Sequence, residues 1–142
     1  MLPKFRVWMK SLKWMCDVTN ISFDSKFVDI CQQGDIERYT EMSVEFDEVE
    51  LMQSTGLKDK DGQEIFEGDI VKRDGVKRPE IVRFGEWTDV DSLGYKEQYI
   101  GFYFESEHEG QEWLHSVQPQ FNHLYKVIGN VYENKELLED KK

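Results

Sequence analysis

Apolar and polar residues alternate with a period of two along most of the chain, the spacing that sends successive side chains to opposite faces of a strand. Residues 4–9 read as a first strand with Phe5, Val7 and Met9 on one face. Lys10-Ser11 turns the chain, and Leu12 to Val18 pairs back with Trp14, Cys16 and Val18 on one side. Asn20 to Phe23 and Lys26 to Cys31 read as two further short strands around Asp24-Ser25, and Gln32-Gln33-Gly34-Asp35 breaks the pattern. From Ile36 to Glu50 two periods compete, because Tyr39, Met42 and Phe46 recur at roughly helical spacing while Ser43 to Phe46 alternates. The reading there is an irregular connection ending in a strand near Val44 to Phe46. Any division of the single domain, residues 1–142, into two subdomains is expected near 35–50.

The run from Leu51 to Arg73, LMQSTGLKDKDGQEIFEGDIVKR, holds the densest turn chemistry. Asp61-Gly62, between short arms, reads as a type I′ hairpin turn, whose two central positions both need positive φ. Gly68 reads as a second backbone corner, and Asp69 to Arg73 as a strand built on the β-branched Ile70 and Val71. Arg73 to Pro79 is a hairpin loop, from which Glu80 to Phe84 returns with Ile81 or Val82 inward. Gly85 to Gly94 reads as a polar, mobile loop, Tyr95 to Glu105 as an aromatic-rich strand, and Glu112 to Val117 as a short strand or turn. Tyr125 to Glu133 is the last strand, with Gly129 as a bulge, and Asn134 is placed to cap a terminal helix through Leu137 and Leu138.

Composition narrows the class. Of the 142 residues, 39% are hydrophobic and 13% aromatic, enough for a packed core and against disorder. No apolar run approaches the ~20 residues of a membrane-spanning helix, and the N-terminus lacks the apolar segment of a secretory signal. A net charge of −11 disfavours nucleic acid, which is held by Lys and Arg on phosphates, and repels anionic lipid. Cys16 and Cys31 are too few for a disulfide framework or a CxxC metal site, and read as reduced thiols in or near the core.

The string LMQSTGLKDKDGQEIFEGDIV, taken with Lys4-Phe5-Arg6-Val7-Trp8 and with Lys126-Val127-Ile128-Gly129-Asn130-Val131-Tyr132-Glu133-Asn134, resembles the YopX family of phage and prophage proteins. Its three anchors lie at the start, middle and end of the chain. It departs from the family pattern at Lys10-Ser11 and at Lys135, which touches local turn geometry. The resemblance implies a phage origin and a β-rich, barrel-like fold, and carries over no catalytic residue. The expected fold is therefore mainly β, with a barrel-like (SH3-like) core, an N-terminal β subdomain and a short C-terminal helix.

Several clusters invite chemistry. Asp59, Asp61, Gly62 and Glu64 resemble a calcium loop, but with Gly62 at loop position 6, Leu57 falls at position 1 and Gly68 at position 12, so both outer ligands are missing. A solvated charged hairpin is the simpler reading. Glu67 and Asp69 flank Gly68 as a conceivable acid–base pair, but no nucleophile, His or phosphate cradle lies nearby in sequence, and hydrogen bonding to a turn is the favoured reading. His108, His115 and His123 match no metal-ligand spacing. The basic patch Lys72, Arg73, Lys77, Arg78 and Arg83 could contact phosphate or an acidic partner, but reads first as a charged loop blunting a strand edge. The acidic runs Glu41, Glu45, Asp47, Glu48, Glu50 and Glu105, Glu107, Glu109, Glu112 read as solvated faces. Trp87, Trp113 and Tyr95 are either core or interface anchors.

No catalytic, cofactor-binding or metal-ligating residue is assigned on this basis. The leading expectation is a phage-encoded, non-enzymatic module acting in the host cytoplasm through a protein partner or self-association. Two alternatives stand beside it. One is an acidic DNA mimic that blocks a host nucleic-acid-binding protein. The other is a small metal-dependent hydrolase using Asp59, Asp61, Glu64, Glu67 or Asp69.

Overall fold

The computed structural model describes residues 4–108 and 110–139, and divides the chain into two compact units, Met1–Ser54 and Thr55–Lys142. The division follows the Ile36–Glu50 connection and falls inside a strand.

In the first unit, β1 (Phe5–Met9), β2 (Trp14–Ser22), β3 (Phe27–Gln32) and β4 (Met42–Glu45) form an antiparallel meander, and β5 (Val49–Lys58) begins on the other side of β1. The register sets Val7 opposite Cys16 and Val18 opposite Ile30. Val7, Met9, Cys16, Val28, Ile30, Val44 and Val49 form the buried cluster, with Trp14, Val18, Ile21, Met42 and Phe46 packed on it. β2 absorbs Asn20–Ser22, so the separate strand expected there does not exist; a bulge between Val18 and Asn20 takes up the break in alternation. In the connection before β4, the Asp35 carboxylate accepts hydrogen bonds from the Thr40 hydroxyl and the Thr40 N–H, and these hold it below the ordinary carboxylate value.

Within the second unit, the end of β5 forms a hairpin with β6 (Glu64–Phe66). β7 (Asp69–Arg73), β8 (Glu80–Val90), β9 (Lys96–His108), β10 (Gln111–Ser116) and β11 (Tyr125–Asn130) form a sheet in the order β10-β9-β8-β7-β11. Its core is Ile65, Val71, Val82, Phe104 and Tyr125, with the Phe104 and Tyr125 rings edge to face at 5.1 Å. Val82 is the inward residue of the pair expected on β8, and Ile81 is only partly covered.

The mainly β class holds, with two corrections. Neither sheet closes into a barrel, SH3-like or otherwise: the second one stops at β10 and β11, which do not pair with each other. The C-terminal helix is a single 3-10 turn, Lys135–Leu138, and Asn134 makes no side-chain cap to it. Its Oδ1 instead accepts the Asn130 N–H, 3.1 Å away. One four-residue turn fixes several dihedrals for few hydrogen bonds, which is why so short a segment does not propagate. Among the described residues no helix is long and apolar enough to cross a membrane.

The stretch expected as a loop, Gly85 to Gly94, is for the most part strand. β8 and β9 pair continuously from Ile81↔Glu105 to Val90↔Lys96, and only Asp91–Tyr95 turns. There the Asp91 carboxylate accepts the Leu93 and Tyr95 N–H groups, both at 2.9 Å.

β11 carries the expected bulge, with its register on β7 shifting between Val127 and Gly129. The Asn134 side chain lies over Gly129, so a Cβ added there would meet Asn134 Oδ1 at 2.6 Å and its Cβ at 2.8 Å. Gly129→Ala is therefore expected to destabilise the second unit by about 2 kcal/mol, read by chemical denaturation. Adding Asn134→Gly relieves the clash, so the double variant is less destabilised than the sum of the singles.

Candidate functional site

The central hairpin loop runs from Asp59 to Gln63, closed by a 2.8 Å bond from the Asp59 N–H to the Gln63 carbonyl. It is not the type I′ turn: Gly62 takes the left-handed conformation, at φ 85°, but Asp61 does not. The longer loop needs one left-handed residue rather than two. Asp59 is not a solvated turn residue either, being only 5% exposed. Its Oδ1 accepts the Asp61 and Gln63 N–H groups and its Oδ2 accepts the Val127 N–H, all at 2.9 Å. Beside it, the Lys60 N–H donates to the Tyr125 carbonyl at 3.0 Å, and Asn122 Nδ2 donates to the Lys58 carbonyl at 2.9 Å. Burial by itself raises the Asp59 carboxyl, but the N–H groups of Val127, Gln63 and Asp61, with the Lys126 charge, outweigh it and hold the group below its ordinary value.

The other carboxylates proposed for a metal or acid–base centre do not gather there. Asp61 points to solvent, 3.8 Å from Lys126. Asp69 is 1% exposed and accepts the Phe66 N–H at 2.8 Å, bracing the turn at Gly68, whose φ is 86°. Glu64 and Glu67 are partly covered. Among the described residues, no three His, Cys, Asp or Glu side chains are grouped to hold a metal ion.

The basic patch is largely committed to neighbours. Arg73 forms a two-pronged ion pair with Glu80, itself 1% exposed, and lies 5.1 Å above the Phe104 ring. Arg83 pairs with Glu105 at 3.5 Å, and Lys72 bonds the Val76 carbonyl. Within the first acidic run, Glu48 accepts the Glu45 N–H and Glu50 pairs with Lys10 at 3.4 Å. His115 and His123 are exposed, on β10 and in the turn before β11 respectively; the His108 side chain and Glu109 lie outside the described residues. Both cysteines are buried free thiols, and burial, followed by the nearby Cys31 and Asp17, pushes Cys16 up to about 11.

The feature that sequence reasoning missed is the β8–β9 ribbon. β7 covers β8 only at Glu80 and Ile81, and β10 covers β9 only from Tyr103 to His108. Between them, residues 83–90 and 96–101 form a two-stranded arm on whose outer edges no further strand pairs among the described residues; at its base the Phe102 carbonyl accepts the Val117 N–H at 3.3 Å. Phe84 and Phe102 lie opposite each other with rings 4.8 Å apart, on the ribbon face that also carries Ile100 and Val90. Ile100 is 77% exposed, and Leu93 at the tip 81%. The other face carries Trp87, stacked between Tyr99 at 4.9 Å and Tyr103 at 5.8 Å. Of the three aromatics singled out, Trp87 is therefore buried, while Tyr95 and Trp113 are exposed. The available signal was the alternation of Phe84, Glu86, Thr88 and Val90 against Gly85, Trp87 and Asp89, masked by its polarity.

A family model described as YopX protein matches residues 4–139. Among solved structures the chain is similar to protein EF1440 from Enterococcus faecalis, with 29% identity over 98% of this chain and 99% of that one and a TM-score of 0.48. No curated protein matches.

Asp59→Asn sets an amide N–H₂ against the Val127 N–H, or loses the other two contacts, and is expected to cost about 3 kcal/mol at neutral pH. Asp61→Asn, at an exposed site, is expected to cost less than about 0.5 kcal/mol. Because the folded state holds the Asp59 carboxyl below its unfolded value, its contribution is complete above the ordinary carboxylate range and is lost as pH falls through the lower, folded value. The gap between wild type and Asp59→Asn should accordingly close below about pH 4 in denaturation series.

Proposed function

The chain belongs to the YopX family, and from that footing we propose that it is a phage-encoded, non-enzymatic protein-interaction module whose docking element is the β8–β9 arm. The partner is a host cytoplasmic protein that presents an apolar, extended segment flanked by Lys or Arg. The observation that carries this is the set of exposed apolar side chains on the arm, Phe84 and Ile100 on one face and Val90 and Leu93 towards the tip, with no further strand on its outer edges among the described residues. A two-stranded ribbon is marginal in water by itself, and clustered apolar side chains on it mark a surface that is covered in use. Unpaired strand edges accept a further strand through main-chain hydrogen bonds, with pockets for alternate side chains. Charge selects the partner's sign: Glu86, Asp89, Asp91 and Glu97 outnumber Arg83 and Lys96 along the arm, and the whole chain carries −11. The buried carboxylates Asp59, Asp69 and Glu80 are each engaged in holding backbone or Arg73, which assigns them to structure.

Capture from host lysate by wild type and by a Leu93→Ser, Ile100→Ser variant tests this reading. Both replaced residues are exposed, so melting temperature should change little. A captured protein that is retained at low salt, weakened at high salt and lost with the variant is the expected result. The same proteins captured by both forms, or none by either, would count against it. Size exclusion of wild type alone separates self-association from a host partner.

A further inference from the structure

We infer that a cavity on the Trp87 side of the ribbon is a receptor for a guanidinium group, the side chain of an arginine presented by the partner. Its volume is about 360 Å³, and its walls include Trp87, Phe121 and Tyr125 together with Asp74, Asp89 and His115. The aromatic and acidic groups come from separate places: Trp87 and Asp89 from β8, Asp74 from the loop after β7, and Phe121 and Tyr125 from the turn before β11 and its first residue.

Each class of wall points to a planar cation. Of the three rings in the wall, Trp87 is stacked against Tyr99 and Tyr103 and Tyr125 lies edge to face with Phe104, so the exposed Phe121 is the ring open to a ligand; a ring face attracts a cation through its quadrupole, and a flat guanidinium also stacks on it. Arg73 contributes to the wall, but its guanidinium is taken up by Glu80, and Asp74 is shared with Lys60 at 3.4 Å. Asp89 has no such partner among the described residues. It stands directly opposite Glu97 in the β8–β9 register. Like charges opposite each other weaken a strand pair, so the ribbon keeps an unfavourable arrangement that an incoming cation would relieve. The field there is visible on Tyr99, whose hydroxyl is held above its ordinary value first by the hydrogen bond it donates to Glu97, then by burial and by the charges of Glu97 and Asp89.

The identity of the cation as a partner's side chain rests on the preceding reading; the chemistry of the cavity does not. Acetyl-arginine amide is therefore the probe, with acetyl-citrulline amide as its neutral isostere and acetyl-lysine amide as the non-planar cation. Binding is followed on full-length protein by amide and indole N–H chemical shifts. The expected result is saturable, salt-weakened shifts confined to Trp87, Asp89, Ser116 and Gln118, at least fivefold weaker for the lysine probe and absent for citrulline. Asp89→Asn should weaken arginine binding at least fivefold while leaving the melting temperature unchanged or slightly raised, since a like-charge pair is removed. Equal shifts from citrulline, shifts elsewhere on the surface, or undiminished binding by Asp89→Asn would overturn the assignment. If arginine binds here but lysate capture fails, the docking partner is wrong and the cavity stands; the reverse result removes the cavity alone.

Discussion

One carboxylate organises the second unit. Asp59 sits in the loop between β5 and β6, yet one of its oxygens accepts the N–H of Val127, 68 residues further on. The hairpin loop is thereby fixed both to itself, through Asp61 and Gln63, and to the last strand. A buried carboxylate is tolerated only where donors replace its lost hydration, and three backbone N–H groups do so here. The corner at Gly68 repeats the arrangement in neutral form: its N–H donates to the Val82 carbonyl at 2.7 Å, and its carbonyl accepts the Val131 N–H at 2.9 Å. Two corners of the central run thus fasten to the segment around β11. The two strings that carry the family resemblance in this half of the chain are in direct hydrogen-bonded contact.

Around that clasp the ionisable groups sort by role. Glu80 and Arg73 form an ion pair, with the Arg73 guanidinium over the Phe104 ring of the second core. Removing either partner of so buried a pair leaves an uncompensated charge. The β8–β9 arm does the opposite. It leaves apolar side chains in solvent and sets Asp89 against Glu97, both unfavourable to the isolated ribbon. These exposed apolar and like-charged positions are the ones on which the proposed docking role rests.

How much of this was legible in the sequence depends on whether a core demanded it. In β1 and the start of β2 the apolar alternation points to the core, and Val7 and Cys16 are fully covered as their spacing requires; β7 is buried on both faces, at Ile70 and Val71 alike, so there the adjacent β-branched pair was the signal. The bulge at Gly129 was legible because a residue without Cβ marks a close approach, which Asn134 makes. The arm was not, because Glu86 and Thr88 interrupt the apolar positions between Phe84 and Val90 on one face and Asp89 stands on the other, so that polarity with Gly85 imitates a loop. The ion pair between Arg73 and Glu80 was hidden among charges that read as a basic surface patch. Asp59 was read as a turn former, which it is, but local turn chemistry does not report a partner so distant in the chain. Barrel closure and a terminal helix were inferred from likeness and capping, and neither had the strand pairing or the length to form.

Asp59 acts as a structural anion rather than as a ligand. Its side-chain carbon can be followed by NMR through an acid titration, together with the amides of Asp61, Gln63 and Val127. The account predicts a carboxyl midpoint below the ordinary value, the same midpoint at all three amides, and no change on adding calcium or magnesium. A midpoint at or above the ordinary value, or shifts at this carboxylate on adding either ion, would contradict it.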